Sequence, residues 1–351
     1  MKFKLHQSIW AFALIFTFFA CEDGTPERPL GAYEAGILIL NEGAFGSNDG
    51  EVYHLEPASG FLKTNIFEAE NIRPFAGLLE DLVLEGERLY LVANTGKVEI
   101  VNSGDFKSRG AVSGGLDQPR SLVAIGNKLF ISDYGPYDPK YNTPDSYIAV
   151  VNGLDGGAVG KKIQVSNKPE DLATFGKFVL VAGSEENSLQ VIDSETETLT
   201  KTLVVKGSPT QFFTIGTQLW LYSPASEKVY FHRINTSNFD LAETVELSVS
   251  NATGKMAIGK NGRFYLLTST GWPDYKDAVA SVSIPNTQPI VKELIKGSGF
   301  YGIGFDQNRG ELYVSNAKGF QGNGSITIYN ETGSVLKTFD AGRGPSGFMM
   351  R

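Results

Sequence analysis

Seven short apolar runs, starts spaced 40 to 52 residues apart, and frequent turn signals predict an all-β chain: a seven-bladed β-propeller whose ring is closed by the C-terminal strand joining the first blade. The spacing matches the roughly 40 to 50 residues of a four-stranded blade. Runs of four or five apolar residues bounded by turn signals are the pattern of strands buried on both faces. No segment after the N-terminal stretch carries a helical period.

The runs, taken in order, are Ile37 to Leu40 (ILIL), Leu89 to Val92 (LYLV), Leu129 to Ser132 (LFIS), Phe178 to Val181 (FVLV), Leu219 to Tyr222 (LWLY), Phe264 to Leu267 (FYLL) and Leu312 to Ser315 (LYVS). Each is read as the second strand of a blade, preceded by an inner strand and a turn that often contains Gly. A variable loop, a third strand, a turn and an outer strand follow. Blade four is the plainest case: Pro169 to Thr174, the Gly176 turn, Phe178 to Ala182, Leu189 to Ile192, a turn at 193–196, and Leu199 to Val205. Blade one has no room for an inner strand before Ile37. Pro345 to Met350 matches the openings Pro119-Arg120-Ser121-Leu122 and Pro209-Thr210-Gln211-Phe212, so the last residues are expected to supply it and remove the free sheet edges.

At the N-terminus, Lys2 and Lys4 precede an apolar stretch from Ile9 to Ala20, too short to span a bilayer and suited to a secretory signal core. Cys21 follows and is the only cysteine, which excludes a disulfide and a cysteine-based metal site. Phe18-Phe19-Ala20-Cys21 resembles a bacterial lipobox, with Phe18 where Leu is usual. The expected organisation is a signal peptide over 1–20, a lipidated Cys21 and polar tether over 21–35, and the propeller over 36–351. Acyl chains on Cys21 would hold the protein at a membrane without a spanning helix. Glu22-Asp23 resembles the acidic tag of lipoproteins sent to the outer face, so an outer-membrane, surface-exposed address is expected. Without residues 1–20 the chain keeps 29 basic residues against 39 acidic ones, a formal charge of −10 that argues against nucleic acid as a partner.

The long second-to-third loops run over 41–49, 133–145, 269–277 and 316–323, and carry Phe45, Tyr134, Tyr137, Tyr141, Trp272, Tyr275 and Phe320. Aromatic-rich loops on one face of a rigid scaffold predict a binding face. The connections between blades each carry one basic residue, Arg73, Arg120, Lys168, Lys206, Lys255, Lys296 and Arg343, which are expected to form a positive ring at the channel mouth. Asn41, Asn94, Asn316 and Gln321 add neutral hydrogen-bonding groups.

Catalytic and metal-binding signatures are missing: His54 and His232 lack partners at ligand spacing, and no nucleophile elbow, phosphate loop or dinucleotide fingerprint is present. Asp133, Asp138 and Asp145 could hold a calcium ion, but their spacing, broken by prolines, is not that of a calcium loop. The chain is therefore read as a binding protein, with neither enzyme activity nor a resident cofactor or metal.

Two end motifs resemble a known group. Leu40-Asn41-Glu42-Gly43-Ala44-Phe45-Gly46-Ser47-Asn48 near the start, and Tyr313 to Lys318, Gly324-Ser325-Ile326, Thr338 to Gly342 and Pro345 near the end, are similar to Bacteroidota propeller lipoproteins of the YncE-like or surface-layer kind. The resemblance implies a surface lipoprotein that captures a metal-containing nutrient and passes it to a TonB-dependent outer-membrane transporter. Such a ligand is a corrinoid such as cobalamin, or a ferric siderophore. Stacking aromatics and neutral amides suit the corrinoid, whereas a ring of cations suits the anionic siderophore. An envelope interaction scaffold or a glycan-binding propeller is the alternative. Ligand contacts are expected from Asn41, Phe45, Asn94, Arg120, Tyr134, Tyr137, Tyr141, Trp272, Tyr275, Asn316, Phe320 and Arg343.

Overall fold

The computed structural model describes residues 28–284 and 291–351. The expected signal peptide and Cys21 lie outside the described residues. Seven four-stranded antiparallel sheets form the ring, and in the first the strand order places Pro345–Met350 innermost, followed by Ile37–Asn41, Glu51–Glu56 and Phe61–Lys63. The expected closure is therefore present. Ile37 pairs with Met350, Ile39 with Phe348 and Leu40 with Gly347, and the Arg351 amide donates to the Gly36 carbonyl at 2.8 Å.

All seven apolar runs are second strands. They read as continuous rather than alternating because each blade packs between two neighbours, which buries both of its faces. Leu89 to Ala93, Val179 to Ala182 and Phe264 to Leu266 are sealed from solvent. Between blades five and six the contact is aromatic: Phe213 and Phe231 of blade five meet Phe264 of blade six with centroids 5.1 and 5.3 Å apart. Such pairs add to the burial that holds neighbouring blades together. Blades seven and one approach so closely that a Cβ on Gly302 would stand 2.6 Å from the Ser346 backbone, so the position requires glycine.

Blade four agrees with expectation to within a residue or so, with strands at Pro169–Phe175, Phe178–Gly183, Ser188–Asp193 and Thr198–Val204. A short helix, Ile66–Asn71, departs from the all-β reading, as does one 3-10 turn at Lys318–Phe320. Six residues are too few to show a period in sequence. The helix is held by the Glu51 carboxylate, which accepts from the Phe67 and Glu68 amides at 3.1 and 3.2 Å.

Several inner strands start with an irregularity that matters for function. Pairing shifts between Leu79 and Asp81, between Pro119 and Ser121, and between Pro169 and Asp171. A bulge re-aims the side chain at the extra residue, here Glu80, Arg120 and Glu170. The chain before blade one runs beneath the opposite face: Tyr33 donates its amide to Gly104 in an outer turn of blade two and packs edge-on against His54 and Phe106.

Candidate functional site

The bulged positions converge at the mouth of the central channel, around a cavity of about 700 Å³. The Arg120 guanidinium lies 2.7 Å from the Glu80 carboxylate and 4.9 Å above the Tyr134 ring. Asn94 donates to the same carboxylate, and Ser184 Oγ donates to Glu170 at 2.7 Å. Glu42 enters from the first long loop and accepts from the Tyr301 hydroxyl, while Phe320 from the last long loop stands edge-on to Tyr301 at 5.0 Å. Long loops and channel mouth thus share one face.

One residue further along the inner strands, Ser121 Oγ donates to Asp81 at 2.8 Å and lies 3.4 Å from Asp171. Asp171 also accepts from the Phe212 amide at 2.7 Å, which ties blade four to blade five. Burial raises the pKa of Asp81, and it pushes Asp171 up to about 7 with help from the neighbouring Asp81. Both carboxyls face the channel interior and keep partial solvent contact there, which tempers the rise. Glu42 is also raised, first by burial and then by Glu80. Burial would lower Arg120, but Glu80 and its fellow carboxylates outweigh it and the guanidinium is held charged. Tyr134 and Tyr301 are raised by burial and stay protonated donors.

The raised Asp171 carries a stability consequence. Unfolded, it ionises near pH 4, so between there and about 7 the folded chain binds the extra proton and loses up to about 1.4 kcal/mol per pH unit as pH rises. Asp171→Asn should flatten the stability profile across that window and melt above the parent at pH 8. Superimposable melting profiles for the two proteins would refute it.

Twelve expected contact residues are placed as follows. Asn94, Arg120 and Tyr134 meet at the mouth, with Phe320 beside them through Tyr301. Phe45, Tyr141 and Trp272 are each more than four-fifths exposed; Tyr137 packs edge-on to Tyr141 at 6.0 Å, and Tyr275 is less exposed. Asn41 is buried and locks the ring seam, donating to the Glu51 carbonyl at 3.1 Å and accepting from the Gly342 amide at 2.8 Å. Asn316 ties its loop to the connection before blade seven, donating to the Ser298 carbonyl and accepting from the Lys318 amide. Arg343 pairs with Asp49 at 3.3 Å in a separate cavity of about 560 Å³.

The expected positive ring does not form. Arg73 pairs with Glu99, Lys168 with Glu185, Lys206 with Glu246 and Lys296 with Glu293, all at 2.8 to 3.5 Å. Among the described residues, Arg120 and Lys255 are the only cations lining the channel, against Glu80, Asp81, Glu170 and Asp171. The reason is register: the cations precede the bulge or sit on outer strands, whereas the carboxylates occupy it. Lys255 lies at the channel as expected, whereas Glu42, Glu80, Asp81, Glu170, Asp171 and Tyr301 were not among the expected contacts, although the repeated Glu-Asp-Leu of blades two and four was a usable signal. Asp133 is spent on the backbone amides of Asp117, Gln118 and Gly135, each at 2.8 Å, and no cluster of three metal-ligating side chains occurs among the described residues. His54 bonds the Ala35 carbonyl, and His232 lies between Thr244 Oγ1 and the Lys206 carbonyl.

No curated protein matches the sequence. Solved structures share the fold. A quinonprotein alcohol dehydrogenase-like protein from Bacteroides thetaiotaomicron is 14% identical with a TM-score of 0.66, covering 91% of this chain and 78% of that one. The periplasmic gluconolactonase of Pseudomonas aeruginosa is 14% identical with a TM-score of 0.63, covering 89% and 98%. BamB from Moraxella catarrhalis is 12% identical with a TM-score of 0.57, covering 92% and 88%. At such identities the likeness is one of fold alone, and the functions differ as the propeller scaffold permits. Residues 35–343 match the family described as a domain of unknown function, DUF5074, and the chain belongs to that family.

Proposed function

We propose that this protein captures a corrinoid on its long-loop face, without turning it over, and passes it to a TonB-dependent outer-membrane transporter as a lipid-anchored surface protein of the YncE-like kind. The observation that carries the reading is the combination on one face of freely exposed aromatics, Phe45, Tyr141 and Trp272, with a mouth rich in acceptors, Glu42, Glu80 and Glu170. Exposed rings of this size mark contact surfaces rather than core. A corrinoid offers a broad apolar disc to stack on them and amide arms that donate to carboxylates. The acidic mouth repels an anionic ferric siderophore, which makes it the weaker candidate.

Calorimetric titration with cyanocobalamin and, separately, a ferric tris-catecholate at low and high salt tests this. Cobalamin should bind with little salt dependence, and Trp272→Ala should weaken it about tenfold, as removal of a central aromatic contact does. Silence with both ligands would overturn nutrient capture and favour an envelope scaffold or a glycan-binding role.

A further inference from the structure

Away from the channel, the cavity of about 560 Å³ at the ring seam opens on the long-loop face. Its walls come from both ends of the chain. The first long loop and the connection from blade one to blade two form one side, and Asn323 and Arg343 of blade seven form the other, so ring closure creates it. Asn48, Asn65 and Ala76 on its wall all hold left-handed backbone, with φ between 50 and 54°. Asparagine tolerates that conformation, whereas in alanine it is a strain of the kind that collects at functional sites. Ser47 Oγ at 3.2 Å and Asp49 at 3.3 Å aim the Arg343 guanidinium, both through Nη1, which leaves Nη2 without a partner among the described residues. The amides of Asn48, Asn65 and Asn323 and the Glu68 carboxylate make no hydrogen bond among the described residues, and all four residues are exposed. Pro74 and Ala76, exposed beside them, add an apolar strip.

We propose that this cavity binds a neutral sugar, a pyranose ring with neighbouring hydroxyls. The open groups on its wall are mixed: each amide offers both donors and an acceptor, the guanidinium only donors, and the carboxylate only acceptors. A hydroxyl donates and accepts at once, so a ring bearing several of them answers the whole set. Two neighbouring hydroxyls also suit the paired atoms of an amide, a carboxylate or a guanidinium, and the bonds to the charged groups are the strong ones. An anion is opposed by Asp49 and Glu68, while a simple cation leaves Arg343 and the amide donors unanswered. The C–H face of the ring would lie on Pro74 and Ala76. The site is separate from the channel mouth and does not rest on the corrinoid reading.

The test is saturation-transfer NMR titration of the protein at pH 8 with glucose, galactose and mannose, each beside its methyl glycoside and its uronate. At least one neutral sugar should give saturable transfer, with the matching uronate at least about tenfold weaker. Asn323→Ala and Glu68→Ala, both at exposed positions that the fold tolerates, should each weaken that sugar by up to about tenfold, as loss of one hydrogen bond does. Silence with every neutral sugar would overturn the proposal. So would an affinity that neither variant moves, or a uronate that binds as tightly as its neutral counterpart. A methyl glycoside as tight as the free hexose identifies the end of a glycan as the ligand, whereas loss of affinity on methylation identifies the free sugar. Sugar silence alongside cobalamin binding would refute this inference alone, and the reverse pattern would refute only the corrinoid.

Discussion

Deleting residues 344–351 is expected to abolish cooperative unfolding at ordinary temperature. The lost strand pairs along the whole of Ile37–Asn41 and contributes Phe348 and Met350 to the seam between blades one and seven. With net hydrogen-bond contributions of about 1 kcal/mol each and the exposure of Ile37 to Leu40, the loss exceeds roughly 5 kcal/mol. That is comparable to the entire stability of a typical folded chain, about 5 to 15 kcal/mol. It also exposes the paired edge of Ile37–Asn41, which invites pairing with other chains. Calorimetric melting of the truncated protein measures this, and an unchanged transition would show that the seam carries little of the stability.

Replacing Arg120 by methionine is the second large effect. Among the described residues the guanidinium is the only cation paired with Glu80, and Glu170 and Glu42 add their charge to the same field. Removing it leaves these carboxylates facing one another in a confined channel. Breaking an enclosed pair in this way destabilises by roughly 3 kcal/mol, toward the low end because channel water reaches the site. The sign with pH follows from Glu42, which burial and then Glu80 already raise: at acid pH it takes a proton and the deficit shrinks, while at pH 8 it is full. Pairing Arg120→Met with Glu80→Gln should restore most of the loss. Urea denaturation of the three variants at pH 5 and pH 8 decides it, and a single variant as stable as the parent at pH 8 would refute the argument.

Both the blade count and the seam were legible because they rest on burial. A second strand enclosed on both faces must be apolar throughout, so Leu89 to Val92 or Phe178 to Val181 announces its place. The inner-strand motif ending at Phe348 could be matched to its siblings and found to lack a blade of its own. Charge was less legible. Arg73 and Arg120 both stand near strand openings, yet one turns to Glu99 and the other into the channel, because a one-residue bulge decides which side chain is aimed inward. Glu42 and Tyr301 lie at opposite ends of the sequence and meet only when the ring closes. Asn41 and Asn316 have amides that sequence could equally assign to a ligand, and backbone geometry claims both.

The course of the chain beneath blade one fixes an orientation. Tyr33 docks on an outer turn of blade two and Ile37 starts upward from that side, so residues 28–36 leave the propeller from the face opposite the long loops. The proposed lipid anchor would therefore grip the base of the ring and turn Phe45, Tyr141 and Trp272 away from the membrane. Because Tyr33 is docked ahead of Gly36, a pull on the leading segment bears first on that dock and only then on the seam, where Arg351 ends against Gly36. The few residues that complete the ring thus stand behind the Tyr33 dock.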